Sequence, residues 1–154
     1  MAAARSLETP VGPVTVTVED GAVVRVAFEP CPEATDDPLL SEAAGQLEAY
    51  FAGRLTHFDL PLRPAGSAFQ RRVRQAMCEI PYGETVTYGD LARRTGASAR
   101  AVGGACGANP IPVIVPCHRV LAAGGRLGGY SGGAGVETKQ ALLRLEGALP
   151  PSLF

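Results

Sequence analysis

The feature that most constrains this chain is an apolar run that stops at a proline. Residues 111–115 read Ile-Pro-Val-Ile-Val, and Pro116, Cys117, His118 and Arg119 follow directly. A short β-branched run between breakers predicts a buried strand, and Pro116 predicts a turn at its end. Cys117 would then begin a short helix, whose dipole and basic neighbours would lower the pKa of its thiol. That pattern is typical of a nucleophile, although a free cysteine can equally be a small buried hydrophobe.

Length and composition exclude several classes of protein. The 154 residues, 46% of them hydrophobic, suffice for one ordinary domain or two small ones. No stretch approaches the roughly 20 apolar residues of a membrane span, and the first ten residues lack the apolar core of a signal peptide. The four cysteines have no C-x-x-C spacing and only two histidines accompany them, so we expect free thiols, no metal and a cytoplasmic location.

Charge divides the chain into two halves. Residues 1–62 carry three arginines against ten acidic residues, a net charge of −7, whereas residues 63–154 carry eleven basic residues against five acidic ones, a net charge of +6. A polyanion would therefore contact only the second half, unless the surface charges are split by chance. Pro61 and Pro64 place a boundary between an N-terminal α/β domain, 1–62, and a C-terminal domain, 63–154.

Periodicity predicts the elements of both halves. Residues 11–18 and 22–28 alternate around a turn, which predicts a β-hairpin, and residues 39–51 have helical spacing. In the second half, Ser67 is a candidate N-cap for a helix that reaches about residue 80. Thr87 can cap a helix over 88–94, and a three-residue turn separates it from another over 99–107. That pair matches a helix-turn-helix.

The helix over 99–107 is made of small residues, Ala99, Ala101 and Gly103 among them, with Arg100 its one long side chain. Reading the major groove needs several long polar side chains. A smooth helix with one arginine instead suits a narrow groove, with the arginine inserted into the duplex. Tight packing against neighbouring helices would also favour small residues, and this alternative stays open.

Glycines dominate residues 122–135, which contain neither a P-loop nor a dinucleotide-binding signature. This pattern predicts a mobile loop beside a pocket, with Tyr130 and Ser131 as its conspicuous side chains. A last helix is expected over about 137–146, with Gly147 as its C-terminal cap. Glu146 in the final turn opposes the helix dipole, which is a weak indication of function beside the simpler reading of a solvated carboxylate.

Together these residues resemble the O6-alkylguanine-DNA alkyltransferases. The resemblance rests on Pro-Cys-His-Arg at 116–119, on Arg-Ala-Val-Gly-Gly-Ala at 100–105, on Asn-Pro at 109–110, on Tyr-Ser-Gly-Gly at 130–133 and on Leu-Glu-Gly at 145–147. It is dense over 66–148 and loose over 1–62. It implies an α/β (α+β) fold, with a small N-terminal domain of β-hairpin and helix before a helical domain that carries a winged-helix-like helix-turn-helix and the active-site cysteine.

The resemblance also implies roles. Cys117 would accept the alkyl group from guanine O6, a single-turnover suicide reaction without a cofactor, while His118 and Glu146 draw away its proton. Tyr88 would donate to the departing base, and Asn109 would hold the turn before the cysteine. Arg100 would fill the gap left by the flipped nucleotide. Two further sets complete the site: DNA contacts from Ala99, Ala101 and Gly103, and a base pocket lined by Pro112, Val120, Tyr130 and Ser131.

The implied partner is double-stranded DNA that contains O6-alkylguanine, bound through its minor groove by a monomer, with cooperative binding left open. Three alternatives remain. A non-catalytic alkyltransferase-like lesion binder is disfavoured because its relatives lack the cysteine, and a helix-turn-helix regulator because base-reading side chains are missing. A cysteine hydrolase is not excluded by spacing. In the alkyltransferases a basic residue can stand where this chain has Gly107, which would weaken phosphate contacts here.

Overall fold

The structure is a computed structural model that describes residues 2–32, 34–130 and 132–149. It opens with a three-stranded antiparallel sheet in the order β1(Ala2–Thr9), β2(Gly12–Glu19) and β3(Ala22–Ala27). The helix α1(Pro38–Phe51) packs across this sheet. The predicted hairpin and helix are confirmed, and the α+β class with them. Sequence analysis missed β1, because its alanine-rich stretch has low β propensity and no alternation of apolar and polar residues.

The buried faces of the sheet and of α1 form the core of the N-terminal half. The strands contribute Val14, Val16, Val23 and Val26, and α1 contributes Leu40, Ala43 and Leu47. Asp37 begins α1, since its carboxylate accepts from the backbone N–H groups of Leu39 and Leu40 at 2.9 and 3.1 Å. Beyond α1 the chain returns along β3, where Val23 N–H donates to Pro61 O at 2.8 Å.

The C-terminal half begins with α2(Ala68–Cys78), β4(Val86–Thr87), α3(Tyr88–Thr95) and α4(Ala99–Gly107). Ser67 and Thr87 cap α2 and α3 as predicted, each in a reciprocal capping box. Gly96 adopts φ +69° at the end of α3, and Ser98 caps α4. The helix-turn-helix is therefore confirmed.

The predicted buried strand over 111–115 is wrong. The segment is buried, but it folds as a tight turn in which Val113 has φ +72° and Val115 N–H donates to Ile111 O at 2.9 Å. Proline at three positions of 110–116 removes backbone donors that a ladder needs. The side chain of Asn109 bridges the turn instead: its Nδ2 donates to Val115 O and its Oδ1 accepts from Ile111 N–H, both at 3.0 Å.

After this turn the chain forms a 3₁₀ turn, Cys117–Arg119, then β5(Val120–Leu121), and later α5(Val136–Leu145). β5 pairs in parallel with β4 immediately before Tyr88, which brings the start of α3 beside the cysteine. Glu146 is the C-cap of α5. Gly147, the glycine predicted to end this helix, follows it with φ +78° in a Schellman turn. None of the described helices is long and apolar enough to cross a membrane.

Lys139, on α5, is fully buried. Its Nζ donates to Val120 O at 2.7 Å, to Leu127 O, and to Gly129 O at 3.3 Å. Burial lowers its pKa, while the neighbouring thiols of Cys117 and Cys106 oppose the change. One ammonium group thus fastens the glycine-rich segment and β5 to α5.

We expect Lys139→Met to destabilise the protein by about 2–3 kcal/mol, because buried carbonyls lose a charged donor while the apolar stem is preserved. Urea unfolding followed by circular dichroism measures this loss. Gln140→Met, at the next position of α5, is the matched control and should change stability by no more than about 0.5 kcal/mol. Equal stability of Lys139→Met and wild type would show that the three bonds contribute nothing.

Candidate active site

Cys117 lies where two cavities meet. The first, of about 430 Å³, is lined by Tyr88, Gly103, Cys106, Gly107, Cys117, Gly129 and Tyr130. The second, of about 300 Å³, reaches Cys117 from the side of the N-terminal half. Both volumes suit a small organic group. Cys117 as a residue is only 7% exposed, so only a group that enters a cavity can reach its thiol.

The environment of the thiol differs from the sequence-based expectation. Burial raises the pKa of Cys117, and the nearby polar groups of Asn109 and Tyr130 together with the charge of Lys139 only partly oppose this effect. The lowered pKa predicted from helix dipole and basic neighbours is wrong for two reasons. The helix is a single 3₁₀ turn, and the side chains of His118 and Arg119 point away to a carboxylate.

That carboxylate is Glu146, whose side chain is completely buried. His118 Nε2 lies 2.7 Å from its Oε2, and Arg119 donates through Nε to Oε1 at 2.7 Å and through Nη2 to Oε2 at 3.0 Å. Tyr50 on α1 donates to Oε2 at 2.6 Å. Glu146 is therefore not the solvated terminal residue of the simpler reading, but the centre of a buried polar network.

The network fixes the protonation of its members. Burial alone would raise the pKa of Glu146, but the hydrogen bonds from His118, Arg119 and Tyr50 lower it to about 2. Burial lowers the pKa of His118 despite the carboxylate, which favours neutral imidazole. Because ionised Glu146 can only accept, the imidazole proton sits on Nε2 and Nδ1 keeps a lone pair. His118 Nδ1 is buried and has no protein partner among the described residues.

Sequence analysis did not identify Tyr50 and Arg119 as members of this network. Tyr50 was placed only by its helical spacing, and Arg119 was assigned to the field around Cys117. A buried tyrosine and a buried arginine both need partners. Tyr50 lies on the apolar face of a predicted helix, and Arg119 lies inside an apolar segment. These positions predict burial, and a buried arginine in particular indicates a carboxylate partner.

Two further predicted residues stand close to the thiol. Tyr88 begins α3 and lines the first cavity, and burial raises the pKa of its hydroxyl, with the two neighbouring cysteines adding to the effect. Tyr88 is therefore protonated at neutral pH and can donate. Asn109 lies between α4 and Cys117, and its side chain bridges the turn described above, the position that the family resemblance implied for it.

The helix α4 presents an open face. Ala99, Arg100 and Ala101 are exposed, and a Cβ added at Gly103, Gly104 or Gly107 would meet no atom within 4 Å. Neighbouring residues therefore do not require these glycines. The alternative of tight internal packing fails for this face, which leaves room for an external surface to approach closely.

The remaining predicted residues are distributed around the cysteine. Tyr130 lines both cavities, and its buried hydroxyl has no hydrogen-bond partner among the described residues. Pro112 lines only the second cavity. Val120 is fully buried and offers its carbonyl to Lys139, without lining either cavity. Ser131 lies outside the described residues. Across the described chain no three His, Cys, Asp or Glu side chains are grouped to hold a metal ion.

Two family models match the chain. The 6-O-methylguanine DNA methyltransferase DNA-binding domain matches residues 68–148, and the ribonuclease-like domain of the same proteins matches residues 4–64. A methylated-DNA–protein-cysteine methyltransferase of Mycobacterium tuberculosis is 46% identical over 96% of this chain and 94% of its own length. One from Methanosarcina acetivorans is 44% identical over 92% of this chain and 96% of its own length.

Solved structures agree with this assignment. The crystal structure of Mycobacterium tuberculosis O6-methylguanine methyltransferase covers 99% of this chain and 96% of its own, with a TM-score of 0.84 and 45% identity. The Mycobacterium tuberculosis OGT in complex with DNA covers 94% of this chain and 92% of its own, with a TM-score of 0.83 and 47% identity. The chain belongs to the 6-O-methylguanine DNA methyltransferase family.

Proposed function

We propose that this protein repairs DNA directly, by transferring the alkyl group of O6-alkylguanine irreversibly to its own Cys117. The observation that carries the proposal is the position of this buried thiol, at the floor of a cavity whose wall includes the open face of α4. Residues 1–62 act as an N-terminal domain, and residues 63–154 bind DNA and hold the acceptor. The family membership and the DNA complex of a relative support this reading.

The proton of Cys117 leaves toward His118. Nδ1 carries the lone pair and has no protein partner among the described residues, so it acts on the thiol through one water, within the reach of a general base. Ionised Glu146 holds the imidazole in this tautomer and stabilises the imidazolium that forms. The hydroxyl of Tyr130 and the amide of Asn109 support the thiolate, as their opposing influence on the pKa of Cys117 indicates.

The thiolate then attacks the alkyl carbon. The S–C bond forms, the C–O6 bond breaks, and the electron pair passes to guanine, which is reprotonated with Tyr88 as the donor beside the base. The thioether has no hydrolysable bond, so each chain reacts once. A cysteine hydrolase would instead need an acyl intermediate open to water, which the 7% exposure of Cys117 disfavours.

DNA docks on α4. The target base must leave the stack to reach a buried thiol, at a cost of a few kcal/mol. The smooth face of Ala99, Ala101 and Gly103 fits against the minor groove, and Arg100 takes the place of the extruded nucleotide. The base then occupies the first cavity, between Tyr88 and Tyr130.

The first test is intact-mass spectrometry after incubation with a duplex that carries one O6-methylguanine. We expect one methyl group per chain, mapped to Cys117, and none in Cys117→Ala, which should still bind the duplex. The exposed Cys78 supplies the control, since Cys78→Ala should react like wild type. Tight lesion binding by wild type without a mass change would favour the second candidate, a non-catalytic lesion binder.

Arg100→Ala should slow methyl transfer from duplex DNA by at least about tenfold, and transfer from free O6-benzylguanine far less, because only the duplex requires base flipping. Single-turnover rates on both substrates measure the difference. Arg54→Ala removes an exposed arginine from the N-terminal half and should leave both rates unchanged. Equal losses on both substrates in Arg100→Ala would contradict a flipping role.

Glu146→Gln should lower the free energy of unfolding by about 3–5 kcal/mol at pH 7, because Arg119 loses its buried partner. The folded pKa of Glu146, about 2, lies below its ordinary value near 4.5, so the carboxylate stabilises the fold above pH 4.5 and loses this effect as pH falls toward 2.

The gap between wild type and Glu146→Gln should therefore narrow over that interval. Urea unfolding at a series of pH values measures it. Glu137→Gln, in the exposed first turn of the same helix, should follow wild type throughout. A gap that stays constant from pH 7 to pH 2.5 would show that Glu146 does not titrate as described.

A further inference from the structure

The second cavity joins the N-terminal half to the reactive thiol. Its walls come from residues 25–29 at the end of β3 on one side, and from Asn109, Pro110, Pro112, Cys117, Tyr130, Gly132 and Gly133 on the other. Val26 N–H donates to Pro110 O at 3.0 Å, which fixes the strand against the turn that precedes the cysteine. The N-terminal half is thus a wall of the active site as well as a packing partner.

Phe28 is the aromatic side chain that residues 25–29 contribute to that wall. Its ring meets the ring of Tyr130 edge-on, with 6.2 Å between centroids and 69° between planes. It also lies against the glycine loop: a Cβ added at Gly132 would stand 2.4 Å from Phe28 Cε2, and one added at Gly133 would stand 3.4 Å from Phe28 Cγ. The ring therefore packs directly on the backbone that closes the second cavity.

The geometry of the reaction indicates which part of the substrate would occupy the second cavity. If the flipped base enters past α4, it fills the first cavity and presents O6 toward Cys117. In-line attack places sulfur and O6 on opposite sides of the alkyl carbon, so the rest of a larger substituent must extend sideways from that axis. The second cavity also adjoins Cys117, and Phe28, Tyr130, Pro110 and Pro112 line it together with the polar side chains of Arg25, Glu29 and Asn109.

We propose that Phe28 is a specificity-determining residue, whose ring sets the size of the O6-substituent that the second cavity accepts. This inference rests on the proposed alkyl transfer. Methyl needs none of the space beside Phe28, whereas benzyl reaches it. A change in ring size should therefore alter transfer of large groups while leaving methyl transfer close to the wild-type rate.

The test compares single-turnover rates on two duplexes that differ only in carrying O6-methylguanine or O6-benzylguanine. Phe28→Ala should raise the benzyl-to-methyl rate ratio by about tenfold or more, and Phe28→Trp should lower it by about tenfold, because even one extra or missing methylene changes discrimination in a hydrophobic pocket by about tenfold or more. Phe69→Ala, a half-buried phenylalanine of α2 beside Arg72, is the matched control and should keep the wild-type ratio.

The possible outcomes separate the two proposals. If the wild-type protein transfers no methyl group from the O6-methylguanine duplex, the proposed function itself is overturned. Normal methyl transfer by wild type with an unchanged ratio in both Phe28 variants would overturn only the role of Phe28. Equal losses on both substrates in both variants would also overturn it, because Phe28 would then only hold Tyr130 in place.

Discussion

The architecture depends on the burial of one carboxylate. Glu146 lies at the end of α5 with no exposed side-chain surface, a position that costs several kcal/mol unless every oxygen is paired. Tyr50 from α1 and His118 and Arg119 from the 3₁₀ turn supply the donors. One residue thereby joins the N-terminal half, the active-site turn and the last helix. The same contacts set the tautomer of the histidine, so stability and chemistry rest on a single group.

Burial of the thiol fits a protein that reacts once. A raised pKa keeps Cys117 protonated at rest, and a protonated, enclosed thiol is a poor target for oxidants and stray electrophiles. The thiol therefore stays unreacted until a substrate enters the cavity. In the proposed reaction, removal of the proton falls to His118, whose own pKa is lowered by burial and whose Nδ1 remains available. The resting thiol is thus protonated and unreactive, and it is ionised only for the reaction. A permanently ionised cysteine would be reactive at all times.

Local signals in the sequence predicted most of the fold. Caps at Ser67 and Thr87 placed helices to within a residue or two, because capping is decided by adjacent side chains. The prediction of a strand over 111–115 was wrong because an apolar run specifies burial and not backbone conformation. The side chain of Asn109 fixes that conformation through hydrogen bonds that composition does not reveal. The candidate site divides in the same way. Cys117 was predictable from its neighbours in sequence, but Tyr50 joins Glu146 across 96 positions, and only the fold brings such residues together.

The N-terminal half reaches the chemistry by two separate routes. Tyr50 donates to Glu146 and so contacts the proposed proton relay, whereas Phe28 packs on Tyr130 and on the glycine loop and so contacts the cavity wall. The first route is polar and buried, and a change there leaves a charge without its partner. The second is apolar and half-buried, so a change there alters space and leaves charge intact. Because the two routes use different physical interactions, substitutions at Phe28 are expected to vary the substrates that fit without disturbing the group proposed to activate the thiol.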